Sequence, residues 1–168
     1  MNKIILIGFM GAGKTTFGKK LAKAMRLPFY DSDQLIEQEQ NKSIETLFSE
    51  RGESGFRLLE KELIQKFTEK QEAFVLSVGG GLPCYHNLMD ELNNIGTTVY
   101  LQHSVGALAH RLKNAKKIRP LLAGKEEPAF SEYISVKLAD REKYYLKAKV
   151  ILSTKDRKST RLNSSHLV

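Results

Sequence analysis

The chain alternates between short, unbroken apolar runs and longer stretches with helical spacing. Ile4–Ile7 is apolar at every position, as a strand buried on both faces would be. Lys14–Met25 then places Phe17, Leu21, Ala24 and Met25 on one helical face. Pro28 breaks the chain before a short strand, Phe29-Tyr30-Asp31. Helices are predicted over Asp33–Gln40 and over Ser43–Arg51, the second capped by Ser43. Gly52 interrupts, and the helical pattern resumes over Phe56–Lys70 with Leu59, Leu63, Ile64 and Phe67 aligned. The third strand, Phe74–Val78, runs into Gly79-Gly80-Gly81. A helix over His86–Asn94 closes at Gly96, and strand Thr97–Leu101, helix Val105–Asn114, helix Ala129–Lys147 and strand Val150–Leu152 follow. Strands separated by helices imply an α/β fold: five parallel strands with helices on both faces.

The last residues break this pattern. Asp156–His166 has no periodicity and no aromatic residue, and it matches the translation of a common sequencing-library adapter over eleven consecutive codons. One domain is therefore expected over 1–154, with 155–168 as a non-native tail. That tail would stand where a natural chain continues.

Composition narrows the function classes. A chain of 168 residues with 41% hydrophobic and 27% charged residues can bury a core of its own and is not a disordered segment. The single cysteine, Cys84, excludes a disulfide framework and a four-cysteine zinc site, and it fits a reducing cytosol. No run approaches the ~18 apolar residues of a membrane span. Lys3 and the apolar run after it imitate a short signal peptide, but the run stops at Gly11-Ala12-Gly13-Lys14 and passes into a basic helix. A net charge of +8 calls for an anionic partner without saying which.

The partner's chemistry comes from Gly8-Phe9-Met10-Gly11-Ala12-Gly13-Lys14-Thr15, which fits G-x-x-x-x-G-K-[ST] at every position, after a strand and before a helix. Gly11, Ala12 and Gly13 would turn backbone N–H groups toward phosphate oxygens, with Thr16 in the first helical turn beside them. Lys14 would reach the β- and γ-phosphates, and Thr15 would hold Mg²⁺. The loop implies a nucleoside triphosphate and leaves the phosphate acceptor open.

Asp31-Ser32-Asp33 ends the second strand, at the sheet edge where parallel folds bind ligands. One carboxylate, Asp31, can steady hydrated Mg²⁺, and the other, Asp33, can accept a hydrogen bond from an acceptor hydroxyl. Read alone, Asp33 would be a helix cap. Gly79, Gly80 and Gly81 would let a small ligand approach bare backbone; read alone, they are a flexible turn. Between Arg111 and Lys125 lie six basic residues and no acid, including Arg119 within Ile118-Arg119-Pro120-Leu121-Leu122. Such a segment suits a mobile lid over phosphates, at about 112–125, or a solvated basic loop. It carries no aromatic residue of the kind nucleic-acid binders use, so no nucleic-acid partner is expected. His86, His103 and His110 show no metal-ligand spacing and read as surface or helix residues. Cys84, Phe9 and Met10 read as packing residues.

Taken in order, these motifs resemble the shikimate kinase family from Ile4 to about Leu152, together with Gly52-Glu53, Phe56-Arg57, and Arg141 with Tyr145. The resemblance implies a P-loop kinase fold with strand order 2-3-1-4-5. It also implies a cytoplasmic, monomeric enzyme that transfers phosphate from ATP, with Mg²⁺, to the 3-hydroxyl of shikimate on the way to aromatic amino acids. Lys14, Asp33 and Arg119 would be catalytic. Arg57, Arg141 and Gly79–Gly81 would bind the acceptor beside Asp33, with Glu60 orienting Arg57, and Arg111 would lie near adenine. A related small-molecule kinase such as gluconate kinase would explain the phosphate loop but not the Arg-Pro-Leu-Leu segment together with Arg57 and Arg141. A nucleotide- or nucleic-acid-binding module would leave Asp31, Asp33 and the glycine run unexplained.

Overall fold

The computed structural model describes residues 2–115 and 129–153. Five parallel strands form one sheet in the order β2-β3-β1-β4-β5. They are β1 (Lys3–Ile7), β2 (Phe29–Asp31), β3 (Phe74–Ser77), β4 (Thr97–Gln102) and β5 (Val150–Ser153). The helices are α1 (Lys14–Met25), α2 (Ser32–Gln40), α3 (Ile44–Glu69), α4 (Leu88–Ile95), α5 (Val105–Lys113) and α6 (Ala129–Tyr145). A short 3₁₀ turn, Leu82–Cys84, follows β3. The central strand β1 pairs with β3 on one side (Ile5 with Leu76) and β4 on the other (Ile5 with Thr98). Its residues Ile4–Ile7 are buried, as a strand covered on both faces requires.

The order and the strands agree with the sequence pattern; several boundaries and faces do not. On α1 the buried positions are Gly18, Leu21 and Ala22, whereas Ala24 faces solvent. Gly18 is small because Phe29 and Leu6 press against it, so the helix lies close to the sheet. Helix α2 starts at Ser32, one residue early, because Asp31 and not Asp33 caps it: Asp31 Oδ1 accepts from the N–H groups of Asp33 (3.0 Å) and Gln34 (3.2 Å).

The interruption predicted at Gly52 is present: the backbone leaves helical geometry there (φ 67°, ψ −179°), so α3 is two helices joined at a kink. Ser43 caps its start through the Thr46 N–H at 3.1 Å. Helix α4 begins at Leu88, because His86 and Asn87 take left-handed φ values of 51° and 59°. Arg119, most of the proposed lid at 112–125 and the tail at 155–168 lie outside the described residues.

Candidate active site

The loop from Gly8 to Gly13 leaves the carboxyl end of β1 and enters α1. Gly11 and Gly13 take φ values of 78° and 85°, which a side chain would strain. The Lys14 ammonium donates to the Gly8 (2.7 Å) and Phe9 (3.0 Å) carbonyls and so lies across the loop. Arg111 crosses it from α5, its Nε donating to the Gly11 carbonyl at 2.7 Å. His103 is buried beneath the loop and bonds the Ala12 carbonyl at 2.9 Å. It is therefore neither a surface nor a helix residue. No spacing in the sequence marks this role, because it depends on β4 ending directly under the loop.

Thr15 Oγ1 donates to Asp31 Oδ2 at 3.0 Å. One Asp31 carboxylate thus joins the first turn of α1 to the start of α2. Two adjacent oxygen donors and an open cleft fit a hard divalent cation that takes its remaining ligands from water and phosphate. Among the described residues no cluster of three or more His, Cys, Asp or Glu side chains forms a closed metal cage.

A cleft of about 500 Å³ opens here, lined by Gly11, Gly13, Lys14–Thr16, Asp31, Asp33, Gly79, Gly80, Arg111 and neighbouring residues. Its far wall is the glycine run, whose glycines make room chiefly for the protein's own groups. A Cβ at Gly79 would stand 3.1 Å from Asp33 Oδ1 and 3.3 Å from Glu60 Oε1. At Gly80 it would meet the Gly8 carbonyl (3.3 Å) and Arg141 Nη1 (3.4 Å). At Gly81 it would enter the Arg57 guanidinium, 2.7 Å from Cζ. Backbone groups here are already engaged: the Gly79 N–H donates to Ser32 Oγ at 3.0 Å, and the Gly80 carbonyl accepts from the Tyr145 hydroxyl. Gly81, Arg57 and Arg141 adjoin the cleft across this run and do not line it.

Arg57 is 6% exposed and Glu60 1%. Arg57 Nη1 donates to Glu60 Oε2 at 2.7 Å, and Nη2 to Glu53 Oε1 at 3.2 Å. Arg57 Nε is a buried donor with no protein acceptor. Burial raises the Glu60 carboxyl to about 7 against the pull of Arg57, with neighbouring Asp33 raising it further. Arg141 lies over the Phe9 ring at 5.5 Å, and Tyr145, one helical turn further on, is fully buried. Burial pushes the Cys84 thiol up to about 11, consistent with a packing role. Glu53, Tyr85 and the Tyr145 hydroxyl belong to this wall, although sequence spacing alone gave none of them a role.

A phosphate loop on the carboxyl edge of a 2-3-1-4-5 parallel sheet, facing Asp33 and a glycine run across an open cleft, defines a P-loop kinase. The family model described as shikimate kinase matches residues 10–168. A shikimate kinase of Phocaeicola vulgatus is 44% identical over 149 residues, covering 89% of this chain and 85% of that protein. Among solved structures, the shikimate kinase of Bacteroides thetaiotaomicron superposes with a TM-score of 0.89 at 39% identity, covering 99% of this chain and 93% of that one. The Acinetobacter baumannii shikimate kinase in complex with shikimate gives 0.83 at 32% identity, covering 99% and 94%. The chain belongs to the shikimate kinase family.

Proposed function

We propose that this protein transfers the γ-phosphoryl group of ATP to the 3-hydroxyl of shikimate, giving shikimate 3-phosphate and ADP. The observation that carries this reading is the glycine run. Its three consecutive glycines abut Asp33, Arg141 and Arg57 in turn, beside the phosphate loop. An acceptor with a carboxylate at one end and hydroxyls at the other matches that row. Arg57 and Arg141 would hold the carboxylate through charge-assisted hydrogen bonds, with the orphaned Arg57 Nε as one donor. Asp33 would accept the proton of the attacking hydroxyl.

On the other wall, the N–H groups of Gly11–Thr16 and the Lys14 ammonium would surround the phosphates. Lys14 would exchange its carbonyl partners for phosphate oxygens, which bind an ammonium more strongly. Thr15 and Asp31 would hold Mg²⁺, which when bound neutralises charge on the phosphates. Arg111, across the loop, would flank the nucleotide, and Arg119 would close over the transferring group from the lid. The same reading has the enzyme act in the cytoplasm as a monomer, where the Cys84 thiol stays reduced.

The test is ADP release with ATP, Mg²⁺ and either shikimate, gluconate or no acceptor, with the product identified by mass spectrometry. Shikimate-dependent release with a phosphorylated product is expected. Equal release with gluconate, or release without any acceptor, would reject shikimate as the substrate.

A further inference from the structure

Arg57 is gripped from two sides. Its inner partner, Glu60, is buried. Its outer partners are a surface carboxylate and a surface aromatic ring. The Tyr85 ring lies 4.5 Å from Arg57 Cζ, and its hydroxyl donates to Glu53 Oε1 at 2.8 Å. That same oxygen accepts from Arg57 Nη2 at 3.2 Å. Ring, guanidinium, carboxylate and hydroxyl therefore form a closed loop of contacts. Glu53 is the first residue after the kink in α3, whereas Tyr85 follows the 3₁₀ turn beyond the glycine run. The loop joins two chain segments that both supply the acceptor wall.

This arrangement is more than surface decoration. Phe56 and Phe48 complete a three-sided aromatic surround at 5.6 and 5.9 Å from Arg57 Cζ. Of the three rings only Tyr85 carries a hydroxyl, and it spends that hydroxyl on the partner of Arg57. The hydrogen bond from Tyr85, and after it the one from Arg57, hold the Glu53 carboxyl below its usual range, so it stays charged at neutral pH. An exposed ion pair alone would orient Arg57 weakly. A stacked ring excludes water from one guanidinium face and leaves fewer orientations open.

We propose that Tyr85 is a positioning residue for the acceptor: through its ring and through Glu53 it fixes the Arg57 guanidinium in the orientation that receives the acceptor carboxylate. This rests on the acceptor reading above, but the grip on Arg57 can be measured without turnover. Tyr85 is 37% exposed, so Tyr85→Phe should fold normally. That variant keeps the ring and loses the hydroxyl, and Tyr85→Ala loses both.

Kinetics with shikimate and ATP varied independently should show a ~3–10-fold rise in shikimate KM for Tyr85→Phe and a larger rise for Tyr85→Ala. ATP KM and kcat should stay within about twofold, and Tm within about 2 °C. Separately, ¹⁵N NMR should follow solvent exchange of the Arg57 Nε–H, assigned by its loss in Arg57→Lys. Exchange should be slow in the wild type and several-fold faster in Tyr85→Phe. An unchanged exchange rate, or an unchanged shikimate KM in an active enzyme, overturns the proposal. A parallel rise in both KM values with a large fall in Tm also overturns it, making Tyr85 merely structural. A wild type inactive on shikimate would reject the acceptor reading, and the exchange rate would still decide whether Tyr85 holds Arg57.

Discussion

Gly81→Ala should disable acceptor binding, although the backbone at this position suits alanine. Gly81 has φ −87° and ψ −18°, an ordinary right-handed conformation. Alanine there would by itself stabilise the fold by about 0.4–1 kcal/mol, through a less flexible unfolded chain. The obstacle is the Arg57 guanidinium, with Cζ 2.7 Å and Nη1 2.8 Å from where the Cβ would sit. Carbon contacts settle near ~3.5–4 Å, so the guanidinium must retreat by about 1 Å. It has little slack, being bonded to Glu60 at 2.7 Å and to Glu53 at 3.2 Å. Removing one partner of a buried ion pair costs about 3–5 kcal/mol, and a displaced but surviving Arg57 should cost about 2–3. For a chain of this size that is a fall in Tm of roughly 5–10 °C. Losing one charged hydrogen bond to the acceptor, about 1.5–3 kcal/mol, should raise shikimate KM ~10–150-fold and leave ATP KM unchanged. The assay is coupled ADP release with both substrates varied, alongside thermal melting. The decisive control is Gly81→Ala in an Arg57→Ala background, where alanine should be neutral or mildly stabilising. An equal loss of stability in that background would refute the reasoning, because the collision would then not be with Arg57.

Lys14→Ala should lower kcat by about 10²–10³-fold, since the ammonium serves charge on the transferring group, while circular dichroism stays native. Near-normal turnover would remove Lys14 from the phosphate site. Asp33→Asn should reduce kcat far more than ATP affinity, as measured by steady-state kinetics and nucleotide titration; unchanged turnover would leave Asp33 without a part in proton acceptance. Glu60 should make stability pH-dependent. Its folded-state carboxyl is raised to about 7 from 4.5, so between those values the unfolded chain releases a proton that the folded chain keeps. Wild-type stability relative to Glu60→Gln should fall by up to about 3 kcal/mol as pH rises across that window and level off above it. A difference that stays flat with pH in denaturant titrations would contradict this.

Much of the fold was legible because local pattern decided it. Ile4–Ile7 and Phe74–Val78 could only be inner strands, and the phosphate motif fixed the join between β1 and α1. The capping residue was not legible, because Asp31 and Asp33 are chemically equivalent at a helix start. The one that turns back, Asp31, also accepts from Thr15, 16 residues earlier and adjacent only in the fold. The glycine run was legible as a site, but its physical reason was not. A bare backbone can make room for a ligand or for its own side chains, and only the packing shows the close approach of Asp33, Arg141 and Arg57, while Gly79 and Gly80 also line the cleft. His103 and Tyr85 were silent for the same reason: their partners lie 91 and 32 positions away. Neither periodicity nor a short motif encodes contacts at that range.

Gly52 carries a consequence for how mutational scans of this fold should be interpreted. It is exposed, and a side chain there would touch nothing within 4 Å. Yet φ 67° with ψ −179° is open almost only to glycine, outside even the left-handed region that asparagine tolerates, and other residues would lose about 1–3 kcal/mol. A scan should therefore find every substitution harmful at a surface position that contacts no other group. Sensitivity and exposure together usually suggest a binding surface. Here they would report a torsion angle, and the discriminating pattern is indifference to the size and charge of the substituted residue.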